Sequence, residues 1–132
     1  MAIVDGHGLP LAITTHSASP AEVKLAPEVV AAIPLAKRPQ RLIGDKAYDS
    51  DPLAIQLALQ HDIELIAPHR RNRRRKTQDG RPLRRYRRRW KVERFFAWLN
   101  NFRRLPVRWE HLQETYQAFL ELACIIILLR HL

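Results

Sequence analysis

Apolar and polar positions change period along the 132-residue chain, and those changes mark its elements. In AIVDGHGLPLAITTH, β-branched residues flank Gly6-His7-Gly8, the arrangement of a β-hairpin whose glycines supply the turn. Asp5 and His7 read there as turn residues. Ser19-Pro20-Ala21-Glu22 reads as a helix start: Ser19 caps, Pro20 takes the first helical position and Glu22 completes a capping box. This helix is expected to run to about Ala36, with Pro27 breaking or kinking it. RLIGD, Arg41 to Asp45, reads as a short strand. Asp51-Pro52 caps a second helix through about Gln60, and IELIAP, Ile63 to Pro68, reads as a buried strand. Arg70 to Arg81 reads as an exposed loop. A long helix is expected over about Pro82 to Leu105, stopped by Pro106. The last helix, about His111 to Arg130, is amphipathic at first and apolar all round at its end, so it should be buried. Hairpin, helix, strand, helix, strand and two helices argue for one α/β domain with a mixed sheet.

Composition adds a real core, with 46% hydrophobic residues, and a single cysteine, Cys124, which rules out a disulfide framework within the chain and fits a reducing cytosol. No signal peptide is visible, and the longest apolar run, LACIIILL, falls far short of the ~20 residues that span a bilayer. A cytoplasmic protein is expected. Charge changes the picture more. Of the 23 Lys and Arg residues, 17 lie between Arg70 and Arg108, where the only acids are Asp79 and Glu93. That segment carries +15 against −5 for the rest. Concentrated arginine is the footprint of a phosphate-backbone partner, although charge alone does not separate DNA from RNA or from an acidic protein.

The acid in the basic segment has two readings. On a continuous helix Tyr86, Arg89, Glu93 and Asn100 fall within roughly a 60° arc, away from the apolar stripe Val92, Phe95, Leu99 and Phe102. Arg89 and Glu93 are then an i, i+4 pair, and a surface ion pair worth ~0.3–0.5 kcal/mol accounts for the acid. Asp45, at a strand end, is by itself a loop former. Together the two carboxylates suggest hard oxygen ligands for Mg²⁺, with arginines to hold a phosphate backbone. The histidines show no metal-ligand spacing, Cys124 reads as a buried small hydrophobe, and Asp51 is explained by capping. Trp90, Trp98 and Trp109 could stack on bases, but packing is the better expectation.

Residues GDKAYDSD resemble the second-Asp motif of insertion-sequence DDE transposases, and Tyr86, Arg89 and Glu93 match the Y-x2-R-x3-E part of their third-carboxylate signature. VERFFAWLNNFRRLPVRWE, VDGHGLPL and FLELACIIILLR are similar to the insertion sequence five family, within the insertion-sequence-four group. The resemblance covers essentially the whole chain. It implies a ribonuclease-H-like fold in which Asp45 is the second catalytic and metal-binding acid and Glu93 the third. It also implies two Mg²⁺ (or Mn²⁺) ions held by three acids for in-line attack on DNA phosphodiesters. Tyr86 and Arg89 would position terminal DNA, and Arg70, Arg71, Arg73, Arg74 and Arg75 would hold its backbone.

Two departures from the pattern matter. Asn100 stands where the signature has Lys, and Arg103 or Arg104, one turn on, is expected to compensate. In a ribonuclease-H-like fold the first Asp lies on a strand before the hairpin, so that strand and its acid are expected upstream. The expectation is therefore one partial catalytic domain over residues 1–132, inactive alone, partnered by double-stranded DNA, by an upstream-frame protein or full-length transposase, and by further copies on DNA at the bacterial nucleoid. The alternatives are a DNA-binding remnant that regulates transposition without chemistry, and an RNA-binding basic protein.

Overall fold

The computed structural model describes residues 1–17, 20–76 and 80–132. The chain divides into two compact units, Met1–Ala18 with Trp90–Leu132, and Ser19–Arg89.

In the first unit, β1 (Ala2–Val4) and β2 (Pro10–Ile13) pair antiparallel, Ala2 opposite Ile13, with a register shift after Ile3. The hairpin closes as expected, and Asp5 closes it: Oδ1 accepts from His7 N at 2.7 Å and Leu9 N at 2.9 Å, two donors the turn would otherwise leave unpaired. Gly8 has φ +84°, and a Cβ there would lie 2.8 Å from the Arg94 guanidinium, so both backbone and space call for glycine. α4 (Trp90–Asn100) buries Phe95 and Leu99, and α5 (Gln113–Leu129) buries Leu120, Ala123, Cys124 and Ile127, an i, i+3, i+4, i+7 stripe. These side chains and Leu105 make one core, flanked by Ala2, Val4, Leu9 and Ile13 from the hairpin. Cys124 is buried as expected, and burial with nearby Glu121 pushes its thiol up to about 11. Polar side chains fasten the layers: Gln117 Nε2 donates to Ile13 O at 2.8 Å, and Lys91 and Arg94 donate to the turn carbonyls of Gly6 and His7.

The second unit is built on a strand–helix–strand unit. β3 (Arg41–Ile43) and β4 (Glu64–Ile66) pair parallel, joined through α2 (Asp51–His61). α1 (Glu22–Ala31) contributes Ala26, Val29 and Val30, and Ile33 just beyond it, to a core shared with Leu53, Leu57, Ile63, Ile66 and Ala67. Ser50, not Asp51, caps α2, accepting from Leu53 N at 3.4 Å; Asp51 stands in the first turn, where its charge suits the helix dipole.

The strands form two separate two-stranded sheets rather than one mixed sheet. The first helix continues through Pro27 but stops at Ala31, and Leu35–Lys37 forms a separate 3-10 turn after Pro34. Its expected cap, Ser19, lies outside the described residues. The long helix is divided into α3 (Gly80–Leu83), a 3-10 segment Arg84–Arg89, and α4, and ends at Asn100 rather than at Pro106. The last helix is not buried all round: Leu122, Ile125 and Leu129 are exposed.

Candidate active site and nucleic-acid interface

Asp45 ends the segment that β3 begins. It is partly buried, and its Oδ1 accepts from Ala47 N at 2.7 Å, capping the 3-10 turn Lys46–Tyr48. Among the described residues its Oδ2 accepts no hydrogen bond. A Cβ on Gly44 would meet the Tyr48 ring at 2.9 Å, so the glycine lets that ring close on the strand end. Burial, then the charge and hydrogen bond of Glu22, push the Tyr48 phenol well above its ordinary value, and α1 is thereby tied to the Asp45 turn.

The arginine loop is organised by an acid outside the candidate residues of the sequence, Asp49. The Asp49 side chain is 6% exposed and meets three donors. His69 Nδ1 lies 2.9 Å from Oδ1, Arg70 N donates to Oδ2 at 2.8 Å, and Arg73 Nη1 donates to Oδ1 at 2.5 Å. Burial alone would raise this carboxyl, but the Arg70 amide, His69 and Arg73 outweigh it and hold it below the usual carboxylate range. Arg73 also spans both oxygens of Asp51 at 2.6 and 2.7 Å. The Arg70 guanidinium turns back to the carbonyls of Lys46 (3.1 Å) and Ala47 (2.8 Å). Arg70 and Arg73 therefore brace the Asp45 turn, Arg70 while exposed and Arg73 half-buried. Arg71, Arg74 and Arg75 are exposed. Residues 77–79, the remainder of the expected loop before Gly80, lie outside the described residues.

Tyr86 and Arg89 lie on the 3-10 segment against β3, with the Arg89 guanidinium 5.6 Å from the Tyr86 ring centroid. They are half-buried, while Arg84, Arg85, Arg87 and Arg88 are exposed. On this segment, at about three residues per turn, Tyr86 and Arg89 lie one above the other, while Glu93 and Asn100 stand seven residues apart on α4. Glu93 is exposed in the first turn of α4, and Asn100 is the exposed last residue of that helix. The stripe Phe95 and Leu99 is buried as expected, with Val92 and Phe102 half-buried beside it. Arg103 is exposed. Arg104 is engaged: its Nε donates to Glu110 Oε1 at 2.7 Å, holding that carboxyl below its usual range, and its guanidinium lies 4.7 Å from the Phe119 ring.

Of the tryptophans, Trp98 packs against the first unit's core, with Arg94 and His131 against its ring. Trp90 and Trp109 are 50% and 72% exposed, so neither packs in the core. Asp45 belongs to the second unit and Glu93 to the first. Among the described residues no three His, Cys, Asp or Glu side chains form a group able to hold a metal ion. No helix among them is long and apolar enough to cross a membrane.

Residues 1–128 match the family model described as Transposase DDE domain. The chain belongs to this transposase family. It is similar to a Burkholderia cepacia protein named for the transposase of insertion sequence element IS402, with 34% identity over 95% of the chain and 59% of the relative. It is also similar to a Brucella ovis protein named for the transposase of insertion sequence element IS6501, with 31% identity over 98% of the chain and 95% of the relative. The chain thus spans little more than half of the IS402 relative. No solved structure matches it. Membership in the transposase family agrees with the resemblance in GDKAYDSD and in the Tyr86, Arg89, Glu93 spacing. The structure adds what those motifs do not spell out: Asp49 and Gly44 hold the turn that presents Asp45. Asp49 had a usable signal in the sequence, an acid one short turn beyond Asp45 with Arg70 as the first Lys or Arg downstream, placed where a βαβ return could bring it back.

Proposed function

We propose that the chain is part of the catalytic domain of a DNA transposase that cleaves DNA strands and joins them at insertion-sequence ends, on a ribonuclease-H-like scaffold. The observation that carries this reading is the family match over residues 1–128, with Asp45 held on a braced turn at the carboxyl end of a parallel strand. Ligands in α/β sheets gather at such strand ends.

In this reading Asp45 and Glu93 are the second and third of three acids, and the first comes from polypeptide outside these residues. Their donor chemistry fits a divalent cation, since carboxylate oxygens are the hard ligands that Mg²⁺ or Mn²⁺ takes. Asp45 would offer Oδ2, because Oδ1 is committed to the Ala47 amide. The ions, when bound, supply Lewis-acid activation of the attacking oxygen and of the scissile phosphodiester. The chain's own residues do the rest. Asp49 and Arg70 keep the Asp45 turn in place. Tyr86 and Arg89, beside β3, position the terminal phosphates. The exposed arginines of 71–75 and 84–88, with Arg103, hold the DNA backbone and set the salt dependence of binding. Asn100 keeps a hydrogen-bonding group where the family signature has a charge. The DNA partners are element ends and target duplex, engaged by several copies of the protein.

The test is cleavage of element-end DNA in Mg²⁺ by the chain alone and by the chain fused to its upstream frame. The fused protein is expected to cleave, and Asp45→Ala or Glu93→Ala to abolish cleavage while leaving DNA binding. Robust cleavage by the chain alone would contradict the missing-acid reading. Binding without cleavage in the fused protein would favour a regulator that occupies element ends without chemistry. The exposed Arg84, Arg85, Arg87 and Arg88 give that second reading its support, since they can hold a backbone without help from the acids. RNA outcompeting duplex DNA would overturn both.

A further inference from the structure

The loop between α4 and α5 presents an aromatic side chain in an unusual way. Trp109 is 72% exposed, and Val107 and Leu112 beside it in the chain are 53% and 67% exposed. Yet the loop itself is fastened. The Glu110 side chain is 4% exposed and paired with Arg104 at 2.7 Å. Arg108 donates from Nε to Glu110 O at 3.0 Å and from Nη2 to His111 O at 3.3 Å, while its guanidinium lies 5.7 Å from the Tyr116 ring. Tyr116 Oη donates to Leu105 O at 2.8 Å, closing the start of the loop onto α5. An indole is thus held in water by residues that are themselves well anchored. That arrangement gives up the burial a tryptophan usually gains and keeps a flat apolar face available.

Charge narrows what that face can meet. Trp109 is flanked in the chain by Arg108 and by Glu110, and Glu110 holds the Arg104 guanidinium. Between Asn101 and Leu112 there are three arginines and one acid, and Glu110 is already paired with Arg104. Guanidinium carries five N–H donors. Among the described residues Arg104 commits Nε and Arg108 commits Nε and Nη2, so each keeps terminal N–H groups for an anion. A flat apolar face near two cations in the chain suits a base followed by its phosphates. In an intact duplex the base faces are covered by their neighbours, so the face must belong to a nucleotide out of the stack.

We propose that Trp109, with Arg104 and Arg108, forms a stacking contact for an unpaired nucleotide at the end of a DNA strand. The base lies on the indole and the flanking phosphates meet the two guanidinium groups. This rests on the DNA reading above and adds to it the kind of DNA bound: an end with unpaired bases over a blunt one.

The experiment measures binding of the chain to two labelled duplexes by anisotropy at fixed salt. One is blunt and the other carries a short unpaired overhang. The wild type is expected to prefer the overhang about tenfold, the value of one base–aromatic stack. Trp109→Ala and Trp109→Leu should lose that preference, Trp109→Phe should keep most of it, and all three should bind the blunt duplex as the wild type does. The overhang alone should quench the part of the tryptophan emission that Trp109→Phe removes. Thermal melts establish that each variant is folded, and Trp109→Leu stands in if Trp109→Ala is not. Equal loss on both duplexes, no loss on either, or a change in oligomeric state in Trp109→Leu would overturn the stacking contact. Failure of the wild type to bind even the blunt duplex would overturn the DNA reading itself, so the two failures are distinct.

Discussion

Two arginine-rich stretches of the second unit look alike in sequence and differ in structure. In residues 70–75, Arg70 and Arg73 are drawn onto Asp49, Asp51 and the carbonyls of the Asp45 turn. In Arg84–Arg89, the exposed Arg84, Arg85, Arg87 and Arg88 have no ion pair among the described residues. The first stretch uses cations to satisfy Asp49, so part of its charge is committed within the chain and holds the site together. The second keeps its cations toward solvent, where a phosphate backbone could displace their counterions. Arginine count alone therefore understates the part of the loop in shaping the site.

Four variants or conditions would break or sharpen that contrast. The largest effect is expected from replacing Arg84, Arg85, Arg87 and Arg88 together by Gln. Salt titration of duplex binding should show the logarithmic slope become shallower by about 0.9 for each phosphate that is no longer neutralised, while urea unfolding stays near the wild type. An unchanged slope would return those arginines to a merely solvated face.

Asp49→Ala should act the other way. It leaves the Arg70 amide, His69 and Arg73 without their shared acceptor and should cost about 2 kcal/mol in urea unfolding, the order of a missing charged hydrogen bond in a partly buried site. Its effect on the salt slope should be small. If stability is unchanged, the loop is not braced by that carboxylate.

The same acid gives a pH dependence. Its folded value is depressed by the Arg70 amide, His69 and Arg73 acting against burial. Its stabilisation is therefore fully present above the ordinary carboxylate range and is lost as pH falls through the depressed folded value. Unfolding free energies measured from neutral to strongly acidic pH should fall more steeply for the wild type than for Asp49→Asn. Parallel curves would assign the acid sensitivity elsewhere.

The smallest effect belongs to a position in the hairpin turn of the first unit. Gly8→Ala places a Cβ against Arg94 in a left-handed backbone conformation and should cost on the order of 1 kcal/mol, with no change in DNA binding. Thermal unfolding checks it; a neutral substitution would mean that the α4 side chain moves aside without loss.

Much of the architecture was readable where its cause is local. Asp5 can close its turn because its acceptor reaches amides two and four residues on, and α2 starts where Ser50, Asp51 and Pro52 supply a cap and a first turn. The strands around Leu42 and Leu65 are marked by apolar runs of strand length. Asp45 and Glu93 were legible as candidates through motif and spacing. The division of the long helix was less so, because an apolar stripe continuous in phase gives no sign of where the winding changes. Trp109 was expected to pack, and nothing in VRWEHL reveals that Arg104 and Glu110 hold the loop with the indole outward.

By itself the sequence determined the charge segregation, the hairpin turn, the start of α2, the apolar stripe of α4, and the family to which the chain belongs. These depend on residue type and on intervals within a turn or two of helix or strand. Only the tertiary structure decided which arginines engage acids and carbonyls of the chain, that Asp49 braces the Asp45 turn, and that α5 leaves Leu122, Ile125 and Leu129 uncovered. The reason is distance along the chain. Asp49 meets Arg73 across 24 residues, and that meeting exists only once β3 and β4 have paired and returned the loop to the turn.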